Sequence, residues 1–109
     1  MQKFCLALDL IDDPGLIEEY RVYHQNVWPE ILASIKSSGI LNLEIYRYQN
    51  RMFMIMETAD EFSFEKKSSM DAANQKVQEW EELMWRYQKA LPGAKPGEKW
   101  MLMEKIFHL

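Results

Sequence analysis

A chain of 109 residues, 48% hydrophobic and 28% charged, is long enough for one buried core and too short for two, so a single domain over residues 1–109 is expected. Its 13 basic and 17 acidic residues leave a net charge of −4, with no basic cluster beyond Lys66 and Lys67, which argues against nucleic acid as a partner. The longest apolar run, residues 52–56, stops at Glu57, far short of the ~20 residues that span a bilayer, and residues 1–9 lack the unbroken apolar middle of a signal peptide, so a cytoplasmic protein with no membrane association is expected.

Phe4, Leu6, Leu8 and Leu10 alternate with Lys3, Cys5, Ala7 and Asp9, the two-residue period of a strand over 3–10. Asp12-Asp13-Pro14-Gly15 then turns the chain and opens a helix, since proline is tolerated in a first turn and acidic side chains favour its positive end. Leu16, Ile17, Tyr20, Val22, Tyr23 and Val27 recur at helical spacing. Pro29 in a helix interior would cost ~3 kcal/mol, so the helix breaks around 26–28 and a second segment runs over 29–38, closed by Gly39. Leu41, Leu43 and Ile45 alternating with Asn42, Glu44, Tyr46 and Tyr48 mark a strand over 40–48, and residues 51–58 form its hairpin partner after Gln49-Asn50. Asp60 caps a helical region that breaks near Asp71 and resumes as a longer helix over 73–91, carrying Val77, Trp80, Leu83, Met84 and Tyr87. A loop at 92–97, rich in proline and glycine, leads to a last strand over 100–109.

The order β-α-β-β-α-β predicts an α+β, ferredoxin-like fold, an antiparallel sheet with both helical regions on one face. Cys5, Ala7, Phe53, Ile55 and the methionines 52, 54, 56, 101 and 103 make the strands apolar on both sides, whereas a sheet with one wet face alternates. A second copy, face to face, is the simplest cover, so a homodimer is expected.

One cysteine, Cys5, and two histidines, His24 and His108, cannot build a structural zinc site, and no metal is expected. Four Trp, five Tyr and five Phe instead supply the flat, partly polar surfaces that line sugar and ring-substrate pockets. His24 is the candidate for chemistry because its pKa of ~6.5 lets it exchange protons near neutrality. Tyr20, four residues earlier, shares its helix face, and Trp28 follows at the break. The same stripe also has the spacing of a packed core face. Asp9, Asn42, Glu44 and Glu57 could ring a small pocket from the strand ends; with no arginine pair to hold an anion, such a pocket suits a neutral polyol.

The run Glu18-Glu19-Tyr20-Arg21-Val22-Tyr23-His24-Gln25-Asn26-Val27-Trp28-Pro29-Glu30, followed by Lys36-Ser37-Ser38-Gly39 and Asn42-Leu43-Glu44-Ile45-Tyr46, resembles the L-rhamnose mutarotase family. The likeness in length and element order reaches Glu104-Lys105-Ile106-Phe107-His108-Leu109. The resemblance implies a dimeric α/β barrel made of two sheets. It also implies interconversion of the α and β anomers of a 6-deoxy-L-sugar, L-rhamnose or L-fucose, with no cofactor. It assigns His24 as proton donor, Tyr20 as a sugar-binding tyrosine and Trp80 as the first of a tryptophan pair that contacts sugar. Leu43 departs from a substrate-contacting tyrosine and Glu81 from the second tryptophan, with Trp85 one turn later; these positions are expected to bear on which sugar is taken, with L-fucose favoured. The anomeric proton would go to Glu44, Glu57 or water. Two other readings share this pattern: a cofactor-free monooxygenase on the same dimeric barrel, and a non-catalytic small-molecule-binding module.

Overall fold

A computed structural model describes all of residues 1–109. Strand β1 (Gln2–Leu10) is followed by helices α1 (Pro14–Gln25) and α2 (Pro29–Ser37), then the hairpin β2 (Ile40–Tyr48) and β3 (Arg51–Thr58). Helices α3 (Phe64–Ala72) and α4 (Gln75–Trp85) precede two short strands, β4 (Gln88–Lys89) and β5 (Met101–Leu102). The sheet is antiparallel in the order β2-β3-β1-β4, and β5 shares with β4 the edge of β1 that β3 does not occupy. This is the expected α+β, ferredoxin-like architecture.

Local chemistry sets the boundaries that hold. The Asp13 carboxylate accepts from the Leu16 amide at 2.9 Å and starts α1, and Pro29 opens α2 after the break. Gly39, at φ +95°, turns α2 into β2 in a region where a side chain would be strained.

Four local expectations change. Leu41 does not alternate with Leu43: a bulge between Ile40 and Asn42 pushes it into solvent, and Ile40 takes the inward place opposite Thr58. Ser63, not Asp60, caps α3, its hydroxyl accepting from the Lys66 amide, while Asp60 pairs with the N-terminal ammonium. The last long helix ends at Trp85 rather than Leu91 because the free edge of β1 offers its backbone a ladder: the Ile11 amide donates to the Tyr87 carbonyl at 2.8 Å and Gln88 sits opposite Leu10. The final strand shrinks to Met101 and Leu102, opposite Ala7 and Leu6. Beyond Met103, whose amide donates to the Cys5 carbonyl, the tail finds no packed face, and Ile106, Phe107 and Leu109 stand in solvent.

The helices cover one face of the sheet. Leu6, Leu8 and Leu10 of β1 and Met52, Met54 and Met56 of β3 are buried there. On the opposite face Cys5, Ala7, Phe53 and Ile55 are only half-buried, and Tyr46 and Tyr48 are exposed. The core has two centres. One gathers Leu8, Leu10, Tyr20, Ile31, Trp80, Met84 and Tyr87; the other gathers Leu6, Ile40, Met54, Met56 and Phe62.

Candidate active site

A cavity of about 650 Å³ opens between sheet and helices, touching both core centres. Leu6, Leu43, Ile45, Met54 and Met56 form its apolar floor. Tyr20 and His24 enter from α1, Trp80 and Glu81 from α4, Gln88 from β4, and Lys99 and Trp100 from the segment before β5. A large, mostly apolar hollow with a few convergent polar groups is the usual form of a small-molecule site.

His24 Nδ1 lies 2.9 Å from the Tyr20 carbonyl oxygen. A carbonyl only accepts, so Nδ1 carries the hydrogen and Nε2 of the neutral ring is the free acceptor. The imidazole stands 4.4 Å from the Tyr20 ring centroid and meets Trp80 edge-on at 5.8 Å. Burial holds its pKa below 6.5 and outweighs the backbone bond that works the other way, so the group is an uncharged base at neutral pH.

Tyr20 is buried, and Gln88 Nε2 donates to its phenol oxygen at 3.2 Å. Burial pushes the phenol pKa up to about 12; the Gln88 bond works downward and the charge of Glu81 upward. Its hydroxyl therefore keeps its hydrogen throughout the physiological range and can donate it.

The charged side chains at the cavity are paired. Lys67 meets Asp71 at 2.5 Å and Lys99 meets the Glu81 carboxylate at 2.6 Å. Lys99 Nζ also donates to the Glu81 carbonyl at 3.0 Å and lies 4.8 Å from the Trp85 ring centroid. With each cation matched by a carboxylate and His24 neutral, the lining selects an uncharged polar ligand over an anion.

Of the residues singled out from sequence, Tyr20, His24, Leu43, Trp80 and Glu81 line this cavity together. Trp28 does not: it packs behind Trp80, centroid to centroid 5.1 Å, with Lys76 over its ring. Trp85 lies outside the cavity under Lys99. The expected ring of strand-end polar groups is absent from the cavity. Asn42 bonds Glu57 and Tyr46 bonds Glu44 on the far side of the sheet, and Asp9 takes a two-point bond from Arg51. Glu44 and Glu57 therefore cannot serve a substrate in this cavity within one chain. Sequence reasoning passed over Gln88, Lys99 and Trp100; no spacing signals them, because a register against β1 brings them in.

Comparison with known proteins gives a consistent result. The sequence profile of the family described as L-rhamnose mutarotase matches residues 3–109. An L-fucose mutarotase of Xanthomonas campestris is 46% identical over 111 residues, covering 100% of this chain and 89% of that protein. An L-rhamnose mutarotase of Escherichia coli is 30% identical over 101 residues, 89% of each. Among solved structures, an L-rhamnose mutarotase of Formosa agariphila superposes with a TM-score of 0.74 at 19% identity, covering 100% of this chain and 99% of that one. Tetracenomycin F2 cyclase of Streptomyces glaucescens shares the fold with a TM-score of 0.66 at 15% identity, over 100% and 97% of the two chains.

Proposed function

Since the chain belongs to the L-rhamnose mutarotase family, we propose that it is an isomerase interconverting the anomers of a 6-deoxy-L-hexose, with L-fucose preferred to L-rhamnose. The preference is supported by the 46% identity to an L-fucose mutarotase against 30% to an L-rhamnose mutarotase, and by Leu43 and Glu81 at the cavity wall. The observation that carries the mechanism is the pairing of an uncharged imidazole, with Nε2 free, and a protonated phenol in one electrically balanced cavity.

His24 Nε2 takes the proton of the anomeric hydroxyl, whose electrons form the C1 carbonyl as the C1–O5 bond breaks. The electron pair of that bond goes to O5, which takes a hydrogen from the Tyr20 phenol. Rotation about C1–C2 in the open-chain aldehyde presents the other carbonyl face. O5 then closes on C1 and returns its proton to Tyr20, and the imidazolium returns its own to O1. In this reading His24 serves the anomeric hydroxyl and Tyr20 the ring oxygen, whereas the family resemblance implies His24 as proton donor, delivering and recovering the proton of the ring oxygen. Trp80 supplies an apolar plane against the sugar ring, and Leu43 and Glu81 face the hydroxyls that distinguish the two sugars.

The working unit in this reading is a cytoplasmic homodimer joined through the uncovered sheet face. That face carries Phe53, Ile55, Tyr46 and Tyr48 with no helix over it. The monooxygenase and simple binding readings are not favoured, as nothing in the family match points to either. Saturation-transfer NMR on equilibrated L-fucose and L-rhamnose checks the proposal. Exchange between anomers should accelerate with catalytic amounts of protein, more for L-fucose, and no acceleration of either sugar would refute it.

A further inference from the structure

Gln88 is a buried polar side chain that serves packing poorly. It is 6% exposed, lies on a two-residue strand opposite Leu10, and its Oε1 has no hydrogen-bond partner. An unpaired buried carbonyl oxygen is destabilising, and an apolar side chain of similar shape would occupy the place without that penalty. What the amide does have is one directed contact: Nε2 donates to the Tyr20 phenol oxygen at 3.2 Å, the only hydrogen bond that oxygen makes.

We propose that Gln88 is a positioning residue for the mutarotase reaction, holding the Tyr20 phenol so that its hydrogen is presented to the ring oxygen of the sugar. The inference rests on the reading of Tyr20 as the hydrogen donor. A phenol O–H lies in the ring plane and has two favoured directions. With the Gln88 N–H occupying an acceptor position on the oxygen, the phenol hydrogen is turned away from Gln88 and stays free for substrate. The other groups around Tyr20 do not compete for it. His24 stacks on the ring and its Nδ1 is bound to the backbone, the Tyr87 hydroxyl is committed to Glu19, and Glu81 is held by Lys99. Reversing the amide would put its oxygen toward the phenol and consume the hydrogen, so a carboxylate at this position imposes the inactive arrangement.

The test compares wild type, Gln88→Met and Gln88→Glu by L-fucose exchange and thermal melting. Gln88→Met should lower kcat roughly tenfold with KM and Tm nearly unchanged, because removing the orphaned Gln88 oxygen offsets the partner lost by the Tyr20 phenol. Gln88→Glu should be slower still at pH 7. Its rate relative to wild type should rise as pH falls, when the carboxyl regains a proton to donate to the phenol. Wild-type kcat in both variants, or activity lost only in step with Tm, would overturn the proposal while leaving the mutarotase reading intact. A wild-type protein that accelerates neither sugar would overturn both.

Discussion

The hydrogen bond from His24 Nδ1 to the Tyr20 carbonyl leaves Nε2 as the proton acceptor, and burial keeps that nitrogen unprotonated at neutral pH. His24→Ala should therefore reduce anomer exchange by ~10²-fold or more with little change in Tm, while His108→Ala, on the exposed tail, should be nearly silent. The pH dependence has a definite sign. The folded-state pKa lies below 6.5, so the wild-type rate should be level above that pH and fall only as pH drops through the lower folded value. The same depression makes the unfolded chain bind the proton first. This histidine's share of stability is accordingly complete above 6.5 and is lost as pH falls from there toward the folded pKa, which urea titrations at a series of pH values can follow. Leu43→Tyr places a hydroxyl at the cavity floor and should shift the L-fucose to L-rhamnose rate ratio toward L-rhamnose by about tenfold, the effect of one hydrogen bond; an unchanged ratio would show that position 43 does not select. Tyr20 and His24 were legible in sequence because both lie on one face of one helix. Gln88 and Lys99 were not, since the topology rather than any local pattern carries them to the site.

Elements whose ends are set by local chemistry were legible for the same reason. Asp13-Pro14, Pro29 and Gly39 each act within a turn of themselves, and α1, α2 and the start of β2 are set beside them. The end of α4 and the length of β5 depend instead on what the edge of β1 offers, a choice made by residues 78 to 96 positions away along the chain. The start of α4 is again local: the Asn74 side chain accepts from the amides of Lys76 and Val77 at 3.0 and 3.2 Å. Asn74→Ala should cost about 1 kcal/mol in urea unfolding. Because α4 carries Trp80 and Glu81, fraying there should also raise KM for the sugar, while Asn74→Ser should preserve both.

For the whole molecule, the radius of gyration of 14.1 Å exceeds the ~13 Å usual for a compact chain of this length, as a projecting apolar tail requires. That tail and the uncovered sheet face both present apolar surface to water. At roughly 25 cal/mol per Å², burying such a face outweighs leaving it wet. Sedimentation equilibrium at micromolar concentration should give a dimer, and Phe53→Glu, in the middle of that face, should give a monomer. A wild-type monomer under those conditions would dispose of the barrel.

The way β1 is shared has a consequence for synthesis. β1 pairs on one side with β3 and on the other with β4 and β5, strands that leave the ribosome well after it. Until residues 99–102 emerge, the cavity lacks Lys99 and Trp100 and β1 lacks its β5 partner, and an apolar hollow lies open. Growth of the chain thus delays closure of the site until the segment before β5 has been made. A ribosome-held nascent chain should keep that hollow accessible to chaperones even when most of the sheet has formed.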